Sequence, residues 1–228
     1  MFRLLQSYIA RHFPLKISSS RRLSWLRNSY KGKRCFIIGN GPSLNIEDLE
    51  TLKKHNELSI ASNKIYLAFR ETDWRPQIYT VADWCVAENN TGVVNQLDLF
   101  KLFPKEFESF FKTSPHGITA FFNQYVPPHC SDEEYESYFF NDLREGAFVG
   151  ETITNLNIQI AAHLGCSQIY LLGVDGAYIV PDEKMQHQHY GQVVVSSGEA
   201  NHFSKDYRMP GETWSIPRVS CHEKNADA

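Results

Sequence analysis

At 228 residues, 42% hydrophobic and 21% charged, the chain suits one globular domain, alone or with appendages. Its net charge of −3 conceals an asymmetry: residues 1–34 carry nine Lys or Arg and no Asp or Glu, which leaves 14 basic against 26 acidic side chains in the rest. That acidic body excludes a generally basic nucleic-acid-binding domain. Its apolar runs fall far short of a membrane span, and five cysteines with no C-x-x-C pair predict a reduced, cytoplasmic protein rather than a disulfide framework.

Residues 1–30 read as a basic amphipathic arm. Phe2, Leu4, Leu5, Tyr8, Ile9 and Phe13 recur at helical spacing among Arg3, Arg11 and Lys16, and Leu23, Trp25 and Leu26 sit among Arg21, Arg22 and Arg27. Such a segment either lies on an anionic membrane surface or packs as a helix on its own domain, with the packed helix favoured. The domain proper is expected over 31–217, with an irregular tail over 218–228.

Cys35-Phe36-Ile37-Ile38 is a short apolar run that ends abruptly in Gly39-Asn40-Gly41-Pro42-Ser43. It predicts a buried parallel strand and a glycine turn. Ser43 is the expected cap of a helix whose apolar face is Ile46, Leu49 and Leu52. A strand, a glycine turn and a helix N-terminus can form an anion site, or can simply be a tight turn. Leu58–Ser62 reads as a second strand, ending at Asn63, with a short helix over Ile65–Phe69. Ile78–Ala82 reads as a third strand, ending at Asp83, and residues 87–103 as helical at least in part. Gly117–Phe122 reads as a fourth strand, ending at Asn123.

Residues 124–147, rich in Tyr, Phe, Asp and Glu, read as an insertion that covers a site or is a plain surface excursion. Thr152–Leu164 is helical by its Ile153, Leu156, Ile160, Leu164 stripe, and Gln168–Asp175 is a fifth strand. Residues 176–228 show little regular pattern and suggest a lid or acceptor loop.

Strands alternating with helices predict an α/β fold, a parallel sheet with helices on both faces, with ligands beyond the carboxyl ends of the strands. Asn40, Asn63, Asp83, Asn123 and Asp175 all mark those ends. Asn40, Asn63 and Asp83 suit a ribose or base, and equally suit strand-end capping. Asp175 suits a metal or sugar hydroxyl, or its own turn. His187 and His189 have metal-ligand spacing in a polar loop that also suits plain solvation. His202, between Asn201 and Phe203, is a candidate proton acceptor titrating near neutrality. No G-x-S-x-G elbow, H-E-x-x-H or kinase signature occurs.

Three blocks in order carry a family resemblance: Phe36-Ile37-Ile38-Gly39-Asn40-Gly41-Pro42-Ser43-Leu44; Gly150-Glu151-Thr152 with Ile169–Asp175; and Asn201-His202-Phe203 with Asp206-Tyr207. Together they resemble the MptE-like family, which shares a domain with bacterial flagellin-glycosylation Maf proteins, and more distantly the sialyltransferases of glycosyltransferase family 42. The resemblance implies a Rossmann-like fold with a C-terminal lid region. It implies a nucleotide site at Gly39, Asn40, Gly41, Ser43, Asn63 and Thr152, with Asp83 where family 42 has a second Asn. It makes Tyr178 the residue that assists phosphate departure and His202 the base.

The function implied is a nucleotide-sugar glycosyltransferase with a donor like CMP-sialic acid and a glycan or small-molecule acceptor, in surface-polysaccharide or glycoprotein assembly, without a required cofactor. The alternative implied is 6-hydroxymethylpterin diphosphokinase activity with ATP and Mg²⁺. A third reading is a non-catalytic nucleotide-binding scaffold. Ile153 stands where family 42 has Ser, and Tyr178 lies one residue further from Asp175 than there. Both departures favour the MptE-like group.

Overall fold

The computed structural model of the chain describes residues 17–112, 117–125, 138–150, 152–180, 185–188 and 191–215. Within them lies a six-stranded sheet, parallel throughout, flanked by helices on both faces. The strands are β1 (Arg34–Ile38), β2 (Leu58–Ser62), β3 (Ile78–Thr80), β4 (Phe100–Pro104), β5 (Ile118–Phe122) and, after a two-stranded excursion of β6 (Gln124–Tyr125) and β7 (Ala147–Phe148), β8 (Gln168–Leu172). Their order across the sheet is β5-β4-β3-β2-β1-β8. The chain builds outward from β1 to β5, then crosses back to set β8 on β1's other side. The ends of β1 and β8 therefore form the switch point, the crevice where α/β sheets hold ligands.

One face of the sheet is covered by α1 (Ser19–Leu26) and α4 (Ile153–His163), through Leu23, Leu26, Leu156 and Ile160. The other is covered by α2 (Ile46–Lys54), a 3₁₀ segment (Asn63–Arg70) and α3 (Trp84–Gln96), through Leu49, Leu52, Ile65, Ala68, Ala87 and Val94. Burial on both faces is why β2 reads as continuously apolar or small rather than alternating, with every residue buried. No described helix is long and apolar enough to cross a membrane.

Residues 19–26 of the expected arm are the packed helix α1. Its Ser19 hydroxyl accepts from the Phe121 N–H at 3.0 Å, and the buried Arg22 donates to the Thr119 carbonyl, so α1 closes the outer edge of β5. Residues 1–16 lie outside the described residues.

Three expectations need correction. Residues 97–103 are not helical. α3 ends at Gln96, and Phe100–Pro104 forms β4, a strand beyond the five expected. Lys101 disguises it, because a lysine inside a short apolar run resembles an amphipathic pattern. Here its ammonium is buried and donates to the Val94 and Asn95 carbonyls at the end of α3, at 3.1 and 3.3 Å, and burial lowers its pKa to about 8. Second, Ser43 does not cap α2. Asn45 does, its side chain accepting from the Glu47 N–H, which leaves Pro42 to Leu44 as a turn between glycine loop and helix. Third, the C-terminal region is not irregular. It contains a three-stranded antiparallel sheet of β9 (Met185–Gln188), β10 (Gly191–Val195) and β11 (Thr213–Ser215).

Candidate functional site

The site is built at the carboxyl ends of β1, β2 and β3, beneath residues 178–180 and 201–214. Asn40, two residues past β1, donates its amide N–H to the Ser62 carbonyl at the end of β2 (3.2 Å), and its own carbonyl accepts from the Phe203 N–H (3.0 Å). Asn63 follows β2 with φ of 54°, a left-handed conformation that Asn tolerates better than most residues, and its carbonyl accepts from the buried Tyr79 hydroxyl at 2.6 Å. Lys64 donates to the Tyr207 carbonyl at 2.8 Å and pairs with Glu212 at 3.0 Å. Asn201 clamps Ile179 through both its amide oxygen (2.7 Å) and its amide nitrogen (2.8 Å), which holds the Tyr178 segment against His202.

The His202 imidazole stacks flat on the Tyr207 ring, centroids 3.7 Å apart. The Arg208 guanidinium lies 3.6 Å from the Trp214 ring centroid, and Tyr178 contacts the same indole. Burial, then the charges of Arg208 and Lys64, push the imidazole pKa down to about 3. His202 is therefore a neutral imidazole throughout the physiological range, which corrects the expectation of a group titrating near neutrality. Burial raises the Asp83 carboxyl, which caps α3 through the Val86 N–H at 2.9 Å. Burial also raises the Tyr178 phenol, which stays protonated and able to donate.

A group of buried polar atoms at this end of the sheet has no hydrogen-bond partner among the described residues: Asn40 Oδ1, Asn63 Oδ1, His202 Nδ1, Arg208 Nη1 and Trp214 Nε1, with the Ser62 and Thr80 hydroxyls beside them. Ser62 and Thr80 are register partners on β2 and β3. Each unsatisfied buried donor or acceptor costs about 1–3 kcal/mol, so this set marks a place where a polar partner would be stabilising.

The glycine loop is held at the switch point. Gly39 N–H donates to the Leu172 carbonyl (2.7 Å) and Gly41 N–H to the Gly173 carbonyl (2.8 Å). The Ser43 N–H, the expected phosphate donor, faces the Asp175 carboxylate at 3.3 Å. A Cβ at Gly39 would collide with the Gly173 backbone, and one at Gly41 with the Asp175 carboxylate. Loop closeness is thus used first against the chain itself. Gly39→Ala is expected to cost about 3 kcal/mol from overpacking against fixed backbone, lowering Tm by roughly 6–12 °C for a chain of this size, as thermal unfolding would read directly.

Thr152 accepts from the Asn155 N–H at 3.2 Å as the cap of α4. Asn123 anchors the excursion by accepting from the Ala147 N–H. His187 lies in β9, and His189 lies outside the described residues. Among the described residues no group of three or more His, Cys, Asp or Glu is placed to hold a metal ion. Sequence reasoning missed Lys64 and Arg208 as site cations. The signals were a lysine directly after the strand-end Asn63 and an arginine directly after Tyr207.

The depressed imidazole pKa gives a stability signature. The unfolded chain takes up the His202 proton near 6.5 and the folded chain only near 3, so stability is full above pH 6.5 and declines as pH falls through that window. His163, buried against Leu23 and Leu143, is also lowered and contributes to the same slope. His202→Asn is expected to flatten part of the decline in denaturant unfolding measured from pH 7 to pH 4.

This arrangement defines a Rossmann-like α/β protein with a polar site at the switch point of a parallel sheet. The chain belongs to the MptE-like family: the model described as 6-hydroxymethylpterin diphosphokinase MptE-like matches residues 15–180. Among solved structures, a Maf glycosyltransferase from Magnetospirillum magneticum AMB-1 is similar at 16% identity, with a TM-score of 0.46, over 76% of this chain. The chain spans 30% of that structure's length. No curated protein matches the chain.

Proposed function

We propose that the chain is a nucleotide-sugar glycosyltransferase of surface-glycan assembly, with a donor resembling CMP-sialic acid and His202 as base. The observation that carries this reading is the set of buried, unpartnered atoms Asn40 Oδ1, Asn63 Oδ1, His202 Nδ1 and Arg208 Nη1, on residues at the strand ends and on the segment packed over them. Amide oxygens suit the hydroxyls and amino group of a nucleoside, and a buried guanidinium suits its phosphate. The glycosyltransferase named among similar structures is consistent with this direction but does not carry it.

In the reaction, the acceptor hydroxyl attacks the anomeric carbon. Its proton passes to the imidazole, the new C–O bond forms, and the bond from that carbon to the phosphate oxygen breaks with its electron pair leaving on the nucleotide. Arg208 offsets the charge developing on that phosphate, and the protonated Tyr178 phenol donates a hydrogen bond to it. A donor phosphate set against Arg208 and Lys64 also offsets the two charges that lower the imidazole pKa. Donor binding thereby makes His202 a better base in the complex than in the free protein.

The second reading is ATP-dependent pyrophosphoryl transfer to a pterin, which the family's description names. Asp175, beside the Ser43 N–H, favours it, since Mg²⁺ is held by one or two carboxylates together with substrate phosphates. Asp175 fits such a role as a single ligand. The two are separated by product analysis. Free nucleotide released from CMP-sugars without divalent metal supports the transferase. AMP released from ATP only with Mg²⁺ and a hydroxymethylpterin supports the diphosphokinase. Inertness toward both leaves the scaffold.

A further inference from the structure

The two edges of the central sheet are finished differently. At β5 the backbone of the edge strand is covered, since Ser19 and Arg22 of α1 bond the Phe121 N–H and the Thr119 carbonyl. At β8 nothing among the described residues does so. Its inner side pairs with β1, and the Leu172 carbonyl accepts from the Gly39 N–H. Alternation along the strand then turns the N–H and C=O of Ile169 and Leu171 outward. Most of the strand is exposed, including large apolar side chains: Tyr170 is 44% and Leu171 47% exposed, and Val174 just beyond is 38% exposed.

Natural edge strands of this length are normally blunted by lysine, proline, a bulge or a covering element. Residues 167–174, Ser-Gln-Ile-Tyr-Leu-Leu-Gly-Val, contain no charge and no proline. We propose that β8 is the contact surface for a second copy of this chain, the two β8 strands pairing antiparallel about a two-fold axis into one continuous twelve-stranded sheet.

Two features select a second copy. A two-fold contact requires a self-complementary patch, and an uncharged strand with apolar residues on both faces meets its own image without repulsion. Antiparallel pairing about a two-fold axis near Tyr170 also sets the exposed Tyr170 and Leu171 of each copy beside those of the other. The contact lies along the outer edge of the sheet, so it does not require the polar site to change.

Sedimentation of the full chain over roughly 1–100 µM, with hydrogen exchange at each concentration, tests this. A concentration-dependent dimer is expected, with the Ile169 and Leu171 amides becoming protected as it forms. Leu171→Lys, on an exposed side chain, should give a monomer whose Tm matches that of the dilute wild-type monomer and no longer rises with concentration, and should abolish that protection. A wild-type monomer across the range would overturn the proposal. So would a dimer that survives Leu171→Lys with those amides unprotected. A monomer that dimerises only after residues 216–228 are removed would assign the edge to the chain's own end and also overturn it.

Discussion

His202→Gln should leave nucleotide affinity within a few fold and cut glycosyl transfer by roughly 10²–10⁴, the usual cost of losing a general base. The substitution keeps a planar polar group on the Tyr207 ring, so the fold is expected to persist, with Tm as the control. The wild-type pH profile separates base from bystander. The imidazole of the free protein protonates only near pH 3, so kcat/KM should show no His-type loss between pH 7 and pH 5. The kcat profile, which reports the donor complex, should show its acid limb at higher pH, because a bound phosphate opposes Arg208 and Lys64. Normal turnover by His202→Gln would remove the proton-transfer role from this residue.

Arg208→Leu should weaken nucleotide binding by roughly 30-fold or more, the scale for truncating one partner of a buried charge pair. Its guanidinium is buried, has no carboxylate within 4.0 Å among the described residues, and leaves Nη1 without a partner. A cation kept in that state is costly to the free protein. Replacing it with an apolar side chain of comparable reach over Trp214 should therefore leave Tm unchanged or raised. A structural arginine would behave oppositely, losing Tm with affinity intact. The same variant should raise the His202 pKa, since Arg208 is the largest charge acting on that ring. A ¹H–¹⁵N titration of the imidazole would show the shift.

The architecture was legible because its signals are local. Ile37-Ile38, Ile60-Ala61 and Leu171-Leu172 each run into a turn with Gly, Asn or Asp, and the parallel sheet follows from helices between them. Thr152 was legible as a helix start because a hydroxyl before an apolar stripe has few other uses. β4 was not legible, because the acceptors for Lys101 are backbone carbonyls of the preceding helix, and no side-chain pattern announces them. The Ser43 position was misread because Asn45, a better cap, sits two residues on.

The site was half legible. Asn40, Asn63 and His202 could be placed from the chain alone, since strand-end amides and the Asn-His-Phe block are written in sequence. The protonation state of His202 could not. It depends on Lys64 and Arg208, which are 138 residues to one side and 6 to the other in sequence and meet only when the C-terminal segment folds back over β2. The Val193-Val194-Val195 run between Gly191 and Ser196 was the one local sign of the antiparallel sheet that carries Arg208 and Trp214 there.

The proposed function requires that these strand ends bind a nucleotide through Arg208 and the unpartnered amides without help from a metal. Calorimetric titration of the full chain with CMP, with and without Mg²⁺, measures this most directly when repeated on Arg208→Leu. The expected result is saturable binding of CMP that EDTA does not abolish and that Arg208→Leu weakens by roughly 30-fold or more. Binding of ATP alone, dependent on Mg²⁺ and indifferent to Arg208→Leu, would contradict the account.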